Sequence, residues 1–507
     1  MANLSKSRFV SGTQCEKKLF FDVFRKDLKP PVSEQQQALF DTGHELGRLA
    51  QQVFPGGLDA SKDAEGKLSV WIERTRRWIE QGETTIYEAS FSITGGYAAL
   101  DILHHQDGER WAIEVKSSGS VKDYHLTDAA YQYFVMNRAG FRPDKVFLMH
   151  LNTRYVKKGP IDPTELLRLE EITAMVLERQ SAIEQKSTSL LAMLELGSEP
   201  IREIGKHCKD PFTCDYLGHC RGELPDQHVF ELYNARGKDL LLFQQGIDAL
   251  SDIPEDFRLT NRQQIQVSAV RAQLPHIDEK AINGFLMELE APLYFFDFET
   301  INATIPLLDG TSPFQQVPFQ YSLHVTDLHG NILEHKAFLA EPEDFTDPGA
   351  IDPRRSLLDH LKKDIGTTGT IVAYNATFET TVLKRLAVDF PEEQEFLNTL
   401  KPRFKDLLVP FRKGWYYLPV MGKSASIKDV LPAIAPAFSY DGLPINNGGD
   451  ASKTYQTMIL GGLRKERTAI RTALLDYCQR DTEGMVVIYR KLKELTIVGP
   501  TQQEQNP

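Results

Sequence analysis

Apolar positions recur at helical spacing between Ser33 and Val53, at Leu39, Phe40, Leu46, Leu49 and Val53, and predict an amphipathic helix. A second helix is expected over about Leu68 to Glu80, followed by short strand-like runs around 85–93, 97–105 and 110–117. A helix around 126–139 ends at Gly140, a residue type suited to a left-handed C-terminal cap. The run KVFLMHL at 145–151 reads as a strand, and a long helix is expected from about Pro163 to Lys186. Residues 223–288 are mostly helical in pattern, with turn signals at Gly246, Pro254 and Pro275. Strand patterning returns with LYFFDFET and FQYSLHVTD; GTIVAYN then runs into a helix, and a long helix spans about 467–493. The expected fold class is therefore α/β, with two α/β units, 1–222 and 289–498, a helical connector 223–288 and a polar, flexible tail 499–507.

The length of 507 residues agrees with two to four domains. Apolar residues at 41% suffice for real cores, and charged residues at 25% argue against wholesale disorder. The net charge of −12 excludes a generally basic coat, but not a local basic groove for nucleic acid. No apolar run approaches a membrane span, and the start MANLSKSRFVSG has no signal-peptide core. Five sparse cysteines then point to a reducing cytoplasm.

Chemistry first concentrates in YAALDILHHQDGERWAIEVKSS. Asp107-Gly108 suits a two-residue type I′ turn. That turn places Asp101 directly opposite Glu114, and Lys116 on the same sheet face as Glu114. Opposed carboxylates repel, and a bridging divalent cation offsets the repulsion. Lys116 suits contact with a phosphate or with the attacking water. Solvated charges on an exposed hairpin are the bland alternative, weakened by the apolar neighbours Ile113 and Val115.

Asp101 and Glu114-Val115-Lys116 after a hairpin resemble the PD-(D/E)XK nuclease signature. The RecB-like branch of that family adds an upstream helical His and a Gln in the following helix, which fall on His44 and Gln132. Where that branch has a Tyr four residues after the Gln, this chain has Met136. The resemblance implies a restriction-endonuclease-like fold that holds Mg²⁺ or Mn²⁺ through Asp101, Glu114 and His44.

Cys208, Cys214 and Cys220 lie in a C-x5-C-x5-C segment, and Cys15 stands near the start. Four thiolates suit zinc or an iron–sulfur cluster. The one-plus-three arrangement resembles the iron–sulfur subset of RecB-like nucleases, in which a [4Fe–4S] cluster ties the ends of the domain together. Zn²⁺ is the competitor, with His207 or His219 as further ligands. Cys478 reads as a small core residue.

The third concentration is acidic. Asp297 and Glu299 lie on one face at the end of a buried strand. Asn375 suits a helix N-cap, with Glu379 in the first turn; Tyr477 and Asp481 share a helix face. Four acids from three segments suit a two-metal phosphodiesterase, with Tyr477 orienting water. D-x-E, N-x-x-F-[D/E] and Y-x3-D in order resemble the DEDD exonucleases of the ribonuclease-H-like fold, in the tyrosine subtype, with Glu379 where the second motif normally has Asp. The pair of domains resembles an uncharacterised bacterial fusion family.

The run KPRFKDLLVPFRKGWYY at 401–417 mixes cations with aromatic rings, a composition suited to single-stranded nucleic acid or equally to a core. ERTRR at 73–77 adds a second basic cluster. No G-x-x-x-x-G-K-[ST] loop is present. The expectation is a cytoplasmic nuclease with two centres. It acts on DNA rather than RNA, in repair or defence, with a helicase or defence-system protein as a conceivable partner. The rivals are a chain in which only the C-terminal centre cuts, and a non-catalytic nucleic-acid-binding scaffold.

Overall fold

A computed structural model describes residues 3–62, 67–345, 351–438, 442–445, 447–462 and 465–497; the expected tail 499–507 lies outside them. The chain is mixed α/β and divides into two compact units, Met1–Glu223 with Thr304–Phe314, and Leu224–Ala303 with Gln315–Pro507.

The first unit holds a sheet in the order β1 (Leu58–Asp59), β2 (Thr85–Ile93), β3 (Gly96–Gln106), β4 (Glu109–Lys116), β5 (Lys145–Leu151), β6 (Leu167–Glu171). β2, β3 and β4 form an antiparallel meander. Asp107 and Gly108 have φ of 53° and 84°, the two positive values a type I′ turn requires. β4 and β5 are parallel, so a crossover must join them, and the helix Asp123–Arg138 supplies it. That helix is buried along most of its length, packed between the sheet and the helix Gln180–Leu196. The helix Glu34–Val53 covers the other face, with Leu46 and Ala50 against Ile102, Ile113 and Met149.

The single helix expected over Pro163–Lys186 is not formed. A short helix Pro163–Leu166 leads into β6, and the helices Thr173–Glu178 and Gln180–Leu196 follow. Five residue pairs between β6 and β5 complete the sheet there. Edge pairing overrides the helix propensity of Leu167-Arg-Leu-Glu-Glu171, four of whose residues stay exposed.

The second unit is built on the order β10 (Ile332–Leu339), β9 (Val317–Thr326), β8 (Leu293–Ile301), β11 (Thr370–Ala373), β12 (Phe404–Asp406). β9 is antiparallel to both neighbours; β8, β11 and β12 are mutually parallel. β8 is central, and Phe295 and Phe296 are buried on opposite faces. On one side lie the helices Pro353–Asp364 and Thr377–Asp389, and on the other Ile427–Ile434 and Arg467–Ile497. The segment expected as a separate connector joins this unit: Ala269, Ile282 and Phe285 pack in the same core as Leu293 and Phe295. β7 (His276–Ile277) within it pairs with β13 (Tyr416–Tyr417). Asn375 is not the expected N-cap. Ala376 holds that place, and Asn375 adopts a left-handed φ of 71° while its N–H donates to Asp406 Oδ1 at 2.9 Å.

Candidate metal centres

In the first unit, Ile102 pairs with Ile113 and Gln106 with Glu109, so the register brings Asp101 opposite Glu114. The ladder stops there, because Asp101 Oδ2 accepts the Val115 N–H at 2.6 Å. Gln132 Nε2 donates to Glu114 Oε2 at 2.7 Å and to the Ala99 carbonyl at 2.9 Å, while its buried Oε1 has no partner. Lys116 Nζ lies 2.9 Å from Glu114 Oε1 and 2.5 Å from Asp128 Oδ2. Lys6, from the N-terminal helix Lys6–Gln14, reaches the same Glu114 oxygen at 2.6 Å. Asp101, Glu114, Lys116 and Gln132 are thus gathered in one cluster.

Its electrostatics are uneven. Burial first, and then the charge of Glu114, push Asp101 up to about 8. Burial also opposes the charge on Glu114, but Lys116 and Lys6 outweigh it and hold that carboxyl well below its ordinary value. Burial, Asp59 and Glu114 together push Glu88 up to about 7. His44 is not part of the cluster. It is exposed on the helix Glu34–Val53, whose buried residues meet the face carrying Ile113, and strand alternation turns Glu114 to the other face. Lys6, Glu88 and Asp128 were missed by motif reasoning; only tertiary pairing brings them together.

The cysteine segment closes back on the start of the chain. Gln14 Nε2 donates to the carbonyls of His207 and Phe212 at 2.8 and 2.6 Å. The Tyr216 hydroxyl donates to Asp22 at 2.9 Å. Cys15 opens the helix Glu16–Phe24, and its charge acts on both Cys214 and Cys220, as does that of Cys208. Burial raises the Cys214 and Cys220 thiols above their ordinary value. His207 Nε2 lies 3.5 Å from Cys208 Sγ, whereas His219 packs edge-on against Phe21. The four cysteines therefore form one neighbourhood, with His207 beside Cys208.

In the second unit, β8 carries Asp297 and Glu299, the helix Thr377–Asp389 carries Glu379, and the helix Arg467–Ile497 carries Tyr477, Cys478 and Asp481. One oxygen each of Asp297 and Glu299 and the Cys478 sulfur lie within 4.8 Å of one another. The Cys478 thiol donates to Asp297 Oδ2 at 3.8 Å, so this cysteine belongs to the site as well as to the core. Burial and the charge of Asp481 push Asp297 well above the carboxylate range. Burial and Asp297 do the same to both Glu299 and Glu379. Glu379 is 1% exposed, and its Oε2 is buried without a partner. An orphaned buried carboxylate oxygen among other acids fits a divalent cation, because hard cations prefer oxygen ligands. Burial and Asp481 raise Tyr477 far above its ordinary value, so its hydroxyl stays protonated and bonds to Asp481. Lys428 Nζ lies 5.3 Å from the Tyr477 ring centroid and is a further group missed by motif reasoning.

The basic and aromatic run is not a stacking platform. Phe411, Tyr416 and Tyr417 are core residues, with Trp415 packed against them. Arg403 donates to the carbonyls of Gly366, Thr368 and Gly369, and Lys405 pairs with Glu288 at 2.5 Å.

Residues 294–426 match a family model described as a domain of unknown function, DUF2779. This stretch contains Asp297, Glu299 and Glu379 and ends before Tyr477. An uncharacterised protein of Mycoplasma pneumoniae, the MG366 homologue, is 28% identical over 222 residues, 41% of this chain and 33% of that protein. MG366 of Mycoplasma genitalium is 25% identical over the same shares. Uncharacterised UU173 of Ureaplasma parvum is 23% identical, over 52% of this chain and 41% of that protein. The chain thus spans about a third to two fifths of the length of these relatives. A solved structure described as SSO0001 aligns with 44% of this chain and 87% of its own at 14% identity, with a TM-score of 0.19, too low to carry any argument. Among the described residues, no helix is long and apolar enough to cross a membrane.

Proposed function

We propose that the chain is a metal-dependent nuclease that hydrolyses phosphodiester bonds of DNA. Its C-terminal centre is read as a 3′–5′ exonuclease of the ribonuclease-H-like type and its N-terminal centre as PD-(D/E)XK. The observation that carries this reading is the approach of Asp297 and Glu299 within 4.8 Å of each other and of Cys478, with the charge of Asp481 acting on both acids and that of Asp297 on the buried Glu379, one of whose oxygens is left unpartnered. The central β8, flanked by an antiparallel pair on one side and parallel strands on the other, supports it.

Asp297, Glu299, Glu379 and Asp481 would hold Mg²⁺ or Mn²⁺, which supplies an activated water and stabilises the leaving oxygen. Tyr477 acts as a hydrogen-bond donor and not as a base, because its proton is held at neutral pH. It positions Asp481 and a water. Lys428 offsets part of the carboxylate charge. In the N-terminal centre, Lys116 is fixed between Glu114 and Asp128, and Gln132 orients Glu114. The four cysteines would bind a [4Fe–4S] cluster, or Zn²⁺ with His207 as the alternative fourth ligand. The setting is cytoplasmic processing of broken or foreign DNA.

A second reading, in which only the C-terminal centre cuts, has one observation in its favour: Lys6 and Lys116 both occupy the same Glu114 oxygen. The test is incubation of anaerobically prepared protein with 5′-labelled single-stranded DNA and Mg²⁺ or Mn²⁺. A ladder of shortened products is expected, and it is lost in the Asp101→Ala/Asp297→Ala double variant. Absence of cleavage of single-stranded DNA, duplex DNA and RNA would leave the scaffold. Tyr477→Phe should slow the C-terminal reaction about 10–100-fold, the value of a hydrogen bond to a charged group, while Mn²⁺ affinity is retained. Equal rates for the two proteins would remove Tyr477 from the mechanism.

A further inference from the structure

Cys478 stands among the acids of the C-terminal centre. It follows Tyr477 on the helix Arg467–Ile497 and precedes Asp481 by three positions, which puts it on the helix face that carries that acid. It is 0% exposed, and its thiol donates to Asp297 Oδ2 at 3.8 Å. Its sulfur lies within 4.8 Å of one oxygen each of Asp297 and Glu299, and those two oxygens are as close to each other. Tetrahedral zinc, with bonds of about 2.3 Å to sulfur and about 2.1 Å to oxygen, holds two such ligand atoms about 3.6 Å apart. The sulfur and the Asp297 oxygen already stand near that spacing. As a hydrogen bond the contact achieves little, because a thiol is a weak donor and three acids are buried around it. Glu299, 7% exposed, makes no hydrogen bond or ion pair with any described residue. Glu379, 1% exposed and within reach of the Asp297 charge, keeps one buried oxygen without a partner. Lys428, on the helix Ile427–Ile434, acts on both Asp297 and Glu299, but one cation against Asp297, Glu299, Glu379 and Asp481 leaves the centre short of positive charge.

We infer that Cys478 is a metal ligand of the C-terminal centre, and that with Asp297 and Glu299 it makes one cation position there a mixed sulfur–oxygen site for a thiophilic divalent ion of the Zn²⁺ class. The inference rests on the metal-dependent reading of that centre and narrows it. Sulfur selects softer ions, whereas oxygen-only ligation, as at Glu379, selects hard ones. Binding breaks the S–H bond and forms a sulfur–metal bond. The proton leaves to solvent, and the cation takes the place between the sulfur and Asp297 Oδ2. Asp297 is only half-buried, so this place can be reached from outside.

The test titrates the anaerobically prepared full chain with Cd²⁺, a spectroscopic stand-in for Zn²⁺, and reads the ultraviolet sulfur-to-cadmium charge-transfer band. Cys478→Ser keeps a donor to Asp297 and removes the soft ligand, while Asp297→Ala keeps the sulfur and removes an oxygen. Any band from the other cysteines is common to all three proteins and cancels in the differences. At a Cd²⁺ concentration that saturates the parent, the parent is expected to show one more cadmium-bound thiolate than either variant. Cys478→Ser should weaken Cd²⁺ binding at this centre at least about tenfold, and Mn²⁺ binding by less, because a hydroxyl oxygen suits the harder ion. Bound Mn²⁺ is read from loss of the free-ion electron paramagnetic resonance signal, and folding from thermal unfolding without added metal. Should the serine variant fail to fold, Asp297→Ala decides the band by itself. A band equal in the parent and Cys478→Ser, a band that survives Asp297→Ala, or equal losses of Cd²⁺ and Mn²⁺ in Cys478→Ser would each overturn the assignment. Mn²⁺ bound equally by the parent and Asp297→Ala would instead overturn the metal reading of the centre itself, and the assignment with it.

Discussion

Asp297→Ala is expected to slow removal of nucleotides from a 5′-labelled single strand about 10³-fold, with the remaining cleavage dependent on Asp101. A metal-held oxygen is worth several kcal/mol in the transition state, and each 1.36 kcal/mol is tenfold in rate. Asp297 is the acid whose loss should cost most, since its charge acts on both Glu299 and Glu379 and its oxygen meets the Cys478 thiol. The loss will not come from misfolding. Burial raises the Asp297 carboxyl, so without metal its stabilising contribution is full below the ordinary carboxylate range and fades as pH rises. Alanine removes that fading, and unfolding at neutral pH without metal should occur no earlier than in the parent. The matching Asp101→Ala protein separates the two readings. If Asp297→Ala alone abolishes all cleavage and Asp101→Ala leaves the rate unchanged, the N-terminal centre is a grip and not a blade. A full rate in Asp297→Ala would sink the C-terminal centre.

What could be read from the residues depended on whether the constraint was local. The Asp107-Gly108 turn is local, so the β3–β4 register, and with it the opposition of Asp101 and Glu114, was legible. Glu88 was not. Its place depends on the β2–β3 register and on a left-handed backbone angle in a residue that rarely adopts one. Lys6 reaches Glu114 across 108 positions, a distance that no motif spans. His44 lies outside the cluster for a different reason. The pattern found its helix, but burial of Leu46 and Ala50 decides which face meets the sheet, and His44 stays outside. Periodicity also missed β6, where the open edge of β5 decides the structure. In the second unit, the element type of each acid was legible, for Asp297 and Glu299 from the apolar run before them and for Glu379 and Asp481 from the helical pattern around them. The role of Cys478 was not, since a thiol in an apolar helix face reads as core until the facing strand is known.

Cys214→Ser is expected to lower the unfolding midpoint of the first unit by about 10–20 °C and to release the metal from anaerobically prepared protein. The argument is one of chain entropy. A clasp from Cys15 to the segment ending at Cys220 closes a loop of nearly the whole unit, and a loop of that size is worth about 5 kcal/mol. In a unit of this size each kcal/mol moves the midpoint about 2–4 °C. The polar contacts of Gln14 and Tyr216 hold the same ends together without metal, so the unit should remain folded at room temperature after the loss. Cys15→Ser should give a similar shift, and the double variant little more, because either change opens one shared clasp. Elemental analysis of the parent then decides the chemistry. Iron with equimolar sulfide supports a cluster on four thiolates. One zinc, lost also in His207→Ala, supports the alternative in which His207 is a ligand. A parent free of both, or a Cys214→Ser protein with the parent's midpoint, would show that the four cysteines share a neighbourhood without sharing a metal.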